Sequence, residues 1–222
     1  MWEDRAKVGF FKALWGTWKE SVFYPSQFFA KAPPKGGFWN PLSYAIIVAW
    51  MGYAINQMVG LIFSSMTLGF LANFIENEEL FDQIGLYGGY GFIQIVLFLM
   101  ILPFATAAFA FIVSGIYHIL LILFGGNKND YEATFRAVTY GAGPLMFLII
   151  PACGSPIAYI WVLVLTIIGI RHLQRTSTGQ AALAVLLPLF LCCCLVAFMA
   201  AIFGATIIGF FQNAMHGGYY FD

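Results

Sequence analysis

Four stretches of this chain, Gly36 to Ile75, Gln83 to Asn127, Ala137 to Ile170 and Thr176 to Phe221, contain no aspartate, glutamate, lysine or arginine. Each is longer than the roughly 20 apolar residues that carry a helix across a bilayer. Only 9% of the chain is charged and 61% is hydrophobic, against about 25% charged in soluble domains. The pattern predicts an all-α polytopic membrane protein and excludes an ordinary soluble enzyme.

The net charge of zero hides strong segregation. Lysines and arginines fall in three places: Arg5, Lys7, Lys12, Lys19, Lys31 and Lys35 before the first span; Lys128 and Arg136 in the middle; Arg171 and Arg175 later. Glu76, Glu78, Glu79 and Asp82 stand together without a base, and the tail holds only Asp222. Basic loops face the cytoplasm. That rule requires an odd number of crossings, with the N-terminus cytoplasmic and the C-terminus outside, and it predicts five: about 41–73, 91–124, 131–150, 156–172 and 179–212. Residues 1–38 form a cytoplasmic interfacial segment, 39–215 the membrane domain and 216–222 an outside tail. The start of the chain has no short apolar core before a small-residue cleavage site, so the first span is expected to direct insertion.

In the N-terminal segment, Asp4 can cap a helix with Val8, Phe11, Leu14, Trp15 and Trp18 on one side and Arg5, Lys12 and Lys19 on another. Such a helix can lie on an anionic leaflet or pack on the protein's own spans. Pro25, Pro33, Pro34, Gly36 and Gly37 predict a linker after it. Small and polar residues recur every four positions in span one (Gly52, Asn56, Gly60, Ser64) and span two (Thr106, Ala110, Ser114, His118). In span five Ala197, Ala201 and Ala205 do so, as do Ala200 and Gly204. These stripes predict close helix approach.

Glu76 to Asp82 and the glycine-rich stretch after it predict a solvated outside turn, since the carboxylates lack calcium-loop spacing. Pro103 and Pro188 predict kinks. Gly125, Gly126 and Asn127 should end span two, Asp130 should cap span three, and Ser177 or Thr178 should cap span five. Cys192, Cys193 and Cys194 point to different helix faces and are expected to be packing residues, while Cys153 has no obvious partner.

Catalytic and cofactor motifs are missing: there is no zinc spacing, no phosphate loop and no nucleophile elbow. The intramembrane groups that could carry chemistry are His118, Glu132, Arg136, Arg171 and His172, which converge on the cytoplasmic side if spans two, three and four pack together. Glu132 stands four residues before Arg136, the favourable order for an ion pair on one helix face. The cluster reads as a structural salt-bridge group, as a transport site, or, for His118, Glu132 and His172, as a metal site. No cofactor and no nucleic-acid partner is expected; the partners are the bilayer, a second copy of the chain, or another membrane protein.

From Tyr131 to Pro188 the chain resembles the Yip domain family, named for proteins that interact with Rab-type GTPases. The resemblance rests on Tyr131, Glu132, Thr134, Phe135, Arg136 and Tyr140 at the entry to span three. It continues with Trp161 in span four, then Ile167, Gly169 and His172, then Ser177, Thr178, Gly179 and Ala181. It covers the last three spans by motif and the first two by hydropathy. It implies five spans, a cytoplasmic N-terminus and a short opposite-side tail. Eukaryotic members organise vesicle traffic through a long N-terminal region. The short segment here is similar to the prokaryotic branch, which has no Rab partner and whose role is generally unassigned; the small-residue stripes and the basic N-terminal helix predict a non-enzymatic inner-membrane organiser, with a transporter, channel or lipid-moving protein as the alternative.

Overall fold

The computed structural model describes residues 2–72, 78–151 and 153–216. A 3-10 turn at Trp2–Asp4 leads into α1 (Arg5–Val8), α2 (Phe10–Phe23), α3 (Pro25–Lys31) and α4 (Trp39–Ala72). Then come α5 (Glu78–Leu123), α6 (Tyr131–Tyr140), a 3-10 helix at Gly143–Ile149, α7 (Gly154–Leu173) and α8 (Thr178–His216). Four of these helices, within Trp39–Phe70, Gly91–Leu123, Gly154–Leu173 and Thr178–Gly204, are long and apolar enough to cross a membrane.

Local chemistry sets most boundaries. At the end of α5, the Gly125 N–H donates to Ile122 O (3.1 Å) and the Gly126 N–H to Leu121 O (2.7 Å). Gly125 has φ +65, so the chain leaves the helix through a left-handed glycine closure. The start of α8 is a capping box: the Gln180 N–H donates to Ser177 Oγ (3.2 Å) and the Ser177 N–H returns to Gln180 Oε1 (3.4 Å). That reciprocal pair satisfies donors the helix end would leave free. Gln180 Nε2 also donates to Phe124 O (2.9 Å), tying the start of α8 to the end of α5.

Several expectations change. The N-terminal helix is broken at Gly9, whose φ of +91 is open to glycine and strained for other residues. Asp4 stands at the N-cap of α1 without a side-chain capping bond. On α2 the buried face is Ala13, Leu14, Thr17, Trp18, Ser21 and Val22, whereas Val8, Phe11 and Trp15 are exposed. Pro25 begins a helix instead of a linker, because proline suits the first helical position; Phe28 and Phe29 of that helix are buried in the main core. The glycine-rich stretch after Asp82 is helical and continues α5. Glu76, Asn73 and the tail beyond His216 lie outside the described residues. Helices α5 and α8 run through Pro103 and Pro188 without interruption.

Stretch 131–150 is not one α-helix. Gly141, Gly143 and Pro144 end α6 and the chain tightens into a 3-10 helix. Backbone that leaves the α-helical pattern inside a protein needs its polar groups satisfied by neighbours, and here α2 and α4 supply them. Trp18 Nε1 donates to Gly143 O (3.0 Å) and Asn56 Nδ2 donates to Leu148 O (2.8 Å). Gly52 lets α4 come so near that a β-carbon there would overlap the Leu145 carbonyl. The span-one stripe therefore works in its first half only. Gly60 faces open space and Ser64 bonds back to its own helix at Leu61 O. In span two, Ala110 and Ser114 are buried, Ala110 beside Phe135. On α8, Cys192, Cys193, Cys194, Ala197, Ala200 and Ala201 are exposed, so they pack nothing among the described residues.

Gly52→Leu is expected to destabilise the protein by about 1–3 kcal/mol or more through overpacking, while Gly60→Leu leaves it unchanged. Thermal unfolding of detergent-solubilised protein checks this; equal melting of the two variants would remove the close approach of α4 to the 3-10 helix.

Candidate functional site

One end of the bundle gathers the two largest buried polar side chains among the described residues, Arg136 and Gln174. There the start of α4, the end of α5, the start of α6, the end of α7 and the start of α8 meet, and the N-terminal turn closes over them. Arg136 on α6 has no exposed side-chain surface, and an unpaired guanidinium there would be very costly. Two carboxylates answer it. Glu3 pairs with Nη2 and Glu132 lies 3.9 Å from Nη1. Nη1 also donates to Gly37 O (3.2 Å), while Nε has no hydrogen-bond partner among the described residues.

Two carboxylates near one cation leave an excess negative charge, and the loop before α4 compensates. The Gly36 and Gly37 N–H groups donate to Glu132 Oε1 at 2.5 and 2.6 Å. Gly37 has φ +87 and Gly36 φ +155, so glycine lets both N–H groups point the same way. A β-carbon on Gly36 would also stand 3.1 Å from Arg136 Nη1. The Tyr140 hydroxyl donates to Glu3 Oε1 (3.1 Å).

The N-terminal turn is held by more than charge. Trp2 is 1% exposed, its Nε1 donates to Ser43 Oγ (3.0 Å) and its ring lies against Tyr44. Arg5 stacks on Trp2 and donates to Asn40 Oδ1 (2.9 Å). Residues 2–5 thus form a plug over Arg136.

Gln174 organises a second network and is fully buried. Its Oε1 accepts from the Lys128 and Asn129 N–H groups (3.1 and 2.9 Å); its Nε2 donates to Asp130 O (3.1 Å) and Thr134 Oγ1 (2.8 Å). All four bonding positions of the amide are used. Asn129 Nδ2 adds a bond to Leu173 O. His118 Nδ1 lies 3.0 Å from Thr134 Oγ1, and its ring meets the Tyr131 ring edge-on.

Of the charged residues singled out from sequence, the structure joins only Glu132 and Arg136. His118 belongs with Thr134 and Gln174. Arg171 is exposed and His172 half-buried at the end of α7, and neither reaches Arg136. His118, Glu132 and His172 do not assemble as a metal site: no group of three His, Cys, Asp or Glu comes together among the described residues. The family-motif residues are framework. Phe135 is buried against Phe38 and Phe111. The Tyr131 hydroxyl donates to Phe111 O, and Tyr140 packs on Phe28 and Tyr44. Ser177 is the α8 cap, Thr178 its first residue, and a β-carbon on Gly179 would meet only Ser177 Oγ, at 4.0 Å. Sequence reasoning missed Trp2, Glu3 and Gln174. An uncharged amide between Leu173 and Arg175, just past the end of an apolar helix, was the available signal for the last.

At the rim, Asp130 is the N-cap residue of α6 but makes no capping bond. Its carboxylate instead meets Lys35 Nζ at 2.5 Å. The Lys35 hydrogen bond, then its charge, holds the Asp130 carboxyl below its ordinary value, and Asp130 raises Lys35 by the same two effects.

The family model of the Yip1 domain matches residues 19–201 of the chain. No curated protein and no solved structure matches it.

Two predictions follow the geometry. Removing one member of a buried pair costs roughly 3–5 kcal/mol, so Arg136→Gln should lower the melting temperature most. Glu3→Gln should cost less, because Glu132 still faces the guanidinium, and Glu132→Gln least, because its amide oxygen still accepts from Gly36 and Gly37. Thermal unfolding of the three variants reads the order; Arg136→Gln melting with wild type would sink it. For the exposed rim pair, the Asp130 contribution is present above its ordinary pKa of 3.8 and fades as pH falls through the lowered value. The Lys35 contribution is present below 10.5 and fades as pH rises through the raised value. The difference between wild type and Lys35→Met should therefore be flat near neutrality, small and salt-sensitive, and should shrink toward both extremes of a pH series.

Proposed function

The protein belongs to the Yip1 domain family, an all-helical membrane protein with at least four candidate spans, and from that premise we propose a non-enzymatic organiser that works through helix contacts in the bilayer. One observation carries the reading: polar groups are paired off inside one end of the bundle, while the long helices present apolar surface that the chain does not cover. Helix α8 is the least buried of the four candidate spans, and Leu189, Phe190, Leu191, Leu195, Phe198 and Ile202 are all exposed. Along that surface Ala197 and Ala201 form a small-residue seam of the kind that lets a second helix come close.

A fifth crossing completes the topology in this reading. Helix α6 has 10 residues and the 3-10 helix 7, about 15 Å and 14 Å at their respective rises. Together they match the roughly 30 Å of the 20-residue α7. They also join the end where Gln174 meets Asn129 to the end where Gly154 begins. With five crossings every basic group falls on one side, which supports a cytoplasmic N-terminus and an outside C-terminus for a protein of the cell's inner membrane.

A transport reading draws on the non-α segment at Gly143–Ile149, since broken helices line transporter sites. Trp18 and Asn56 already engage its Gly143 and Leu148 carbonyls, which favours a structural role.

Bismaleimide cross-linking through native Cys192, Cys193 and Cys194 in membranes is expected to give dimers or higher species. Ala197→Leu with Ala201→Leu should reduce them severalfold. A strictly monomeric protein, or cross-linking indifferent to the double variant, would sink the α8 seam. Proteoliposomes should show no ion or solute movement above empty vesicles, with Glu132→Gln and Arg136→Gln no different; flux lost in those variants would move the function to transport.

A further inference from the structure

Proline has no N–H, so inside a helix it leaves the carbonyl four residues earlier without its usual partner. In α5 the proline is Pro103 and the carbonyl is that of Leu99, and the helix continues through both. The missing donor comes from the neighbouring helix: Trp50 Nε1 donates to Leu99 O at 3.1 Å. Trp50 stands eleven residues, about 16 Å, from the start of α4 at Trp39. Both groups lie within candidate spans. An indole N–H and a freed carbonyl are each costly to leave unpaired in hydrocarbon, and here each satisfies the other.

Tyr53, the next turn of α4, sets its ring edge-on against Phe98 of α5, and its hydroxyl lies 2.8 Å from the Tyr159 hydroxyl of α7. Trp50 and Tyr53 thus join α4, α5 and α7 at one level. Packing changes across that level. Toward the polar end of the bundle, α5 buries Leu102, Ala110, Ser114 and Leu121, with Ala110 in the cluster around Leu42 and Phe135. In the other direction none of residues 91–101 is buried. The boundary between packed and unpacked helix therefore falls at the turn where the backbone hydrogen bond is missing.

We propose that Pro103 is a hinge in α5 and Trp50 its latch: with the indole on Leu99 O the outer arm of α5 is held against α4, and with that bond open the arm swings about Pro103 as one piece. Sharp bends in helices concentrate at proline, and hinges are built from a few such residues at the edge of a packed body. The arm carries Phe92, Ile93, Val96 and Leu97, all exposed, so its angle sets how that apolar face stands toward α4 and the lipid. The Arg136 and Gln174 networks lie on the other side of the hinge and keep their contacts in both positions. The device is contained in one chain and does not depend on self-association through α8.

A double-mutant cycle in full-length protein tests the latch. Trp50→Phe keeps an aromatic ring and removes the N–H, and is expected to lower the melting temperature in detergent by about 2–4 °C. Pro103→Ala restores the N–H that Leu99 O lacks, so in that background Trp50→Phe should cost less than half as much. Spin labels at Ile62→Cys and Phe92→Cys, exposed positions on the α4 and α5 arms, read the arm itself once the four native cysteines are replaced by alanine. In lipid nanodiscs the pulsed-EPR distance distribution should be narrow with Trp50 in place, broad in Trp50→Phe, and narrow again when Pro103→Ala is added. Equal melting losses in both backgrounds, an unchanged distribution in Trp50→Phe, or a broadening that Pro103→Ala does not reverse would overturn the latch.

Discussion

The fold depends on hiding one guanidinium. Arg136 enters from the first turns of α6 with no solvent around it, and a bare cation in that position would unfold the region or draw water into it. Its two carboxylates come from opposite ends of the sequence. Glu132 is one helical turn away and constrains nothing but its own side chain. Glu3 is 133 residues away, so satisfying Arg136 fastens the first turn of the chain onto the middle of the membrane domain. Everything between them in space, Trp2 on Ser43, Arg5 on Asn40 and the Gly36–Gly37 loop on Glu132, is consistent with that one requirement.

The same fastening explains why the N-terminal hairpin packs one face against the bundle, with Phe11 and Trp15 left exposed on the other. With residues 2–5 fixed near the start of α4, the chain must run out along α2 and come back along α3 to reach Trp39. It does so along α7 and the 3-10 helix, burying Leu14, Trp18 and Val22. Trp18 then serves a second purpose, since its indole N–H reaches a carbonyl that α6 releases where Gly143 and Pro144 tighten the helix. The irregular backbone and the α2–α3 hairpin are thus complementary, Trp18 supplying the donor that the Gly143 carbonyl needs.

What could be read from sequence was local. The Glu132–Arg136 spacing, the glycine closure after α5 and the Ser177 cap each involve residues within a few positions, where geometry follows from helix periodicity. Gln180, the partner that makes Ser177 a capping box, is likewise three residues on. Glu3 and Gln174 were invisible because their partners lie far away in the chain: Gln174 bonds to residues more than 40 positions earlier. The choice of buried face on α2 also could not be read, since Phe11 and Trp15 are as apolar as Leu14 and Trp18. Only the position of Gly143 and Phe147 decides which pair turns inward. Hydropathy predicts a single apolar helix over 131–150 but carries no information on whether its backbone is α or 3-10; the Gly-Ala-Gly-Pro run is where α6 ends and the 3-10 helix begins.

Burial is divided unequally along the long helices, and that division has a physical meaning. Over the first third of α4, Leu42, Tyr44, Ala45, Val48 and Ala49 are all buried, whereas Met58, Ile62, Phe63, Met66 and Phe70 beyond Asn56 are exposed. Helix α5 mirrors it, with Ser114 and Leu121 buried and Phe92, Ile93 and Leu97 exposed. Apolar surface of this extent is unfavourable in water, so it belongs in lipid or against another helix. Specific polar pairing can fix geometry where protein surrounds protein, but in hydrocarbon it has nothing to act on, and van der Waals fit takes over. The described polar contacts thin out beyond Trp50, Tyr53 and Asn56 of α4, and the helix past them presents exposed apolar side chains. The polar contacts at the end where Arg136 and Gln174 lie fix where α4, α5 and α8 leave it, since Gln180 ties the start of α8 to the end of α5, and the exposed apolar faces beyond are left to lipid or to another helix.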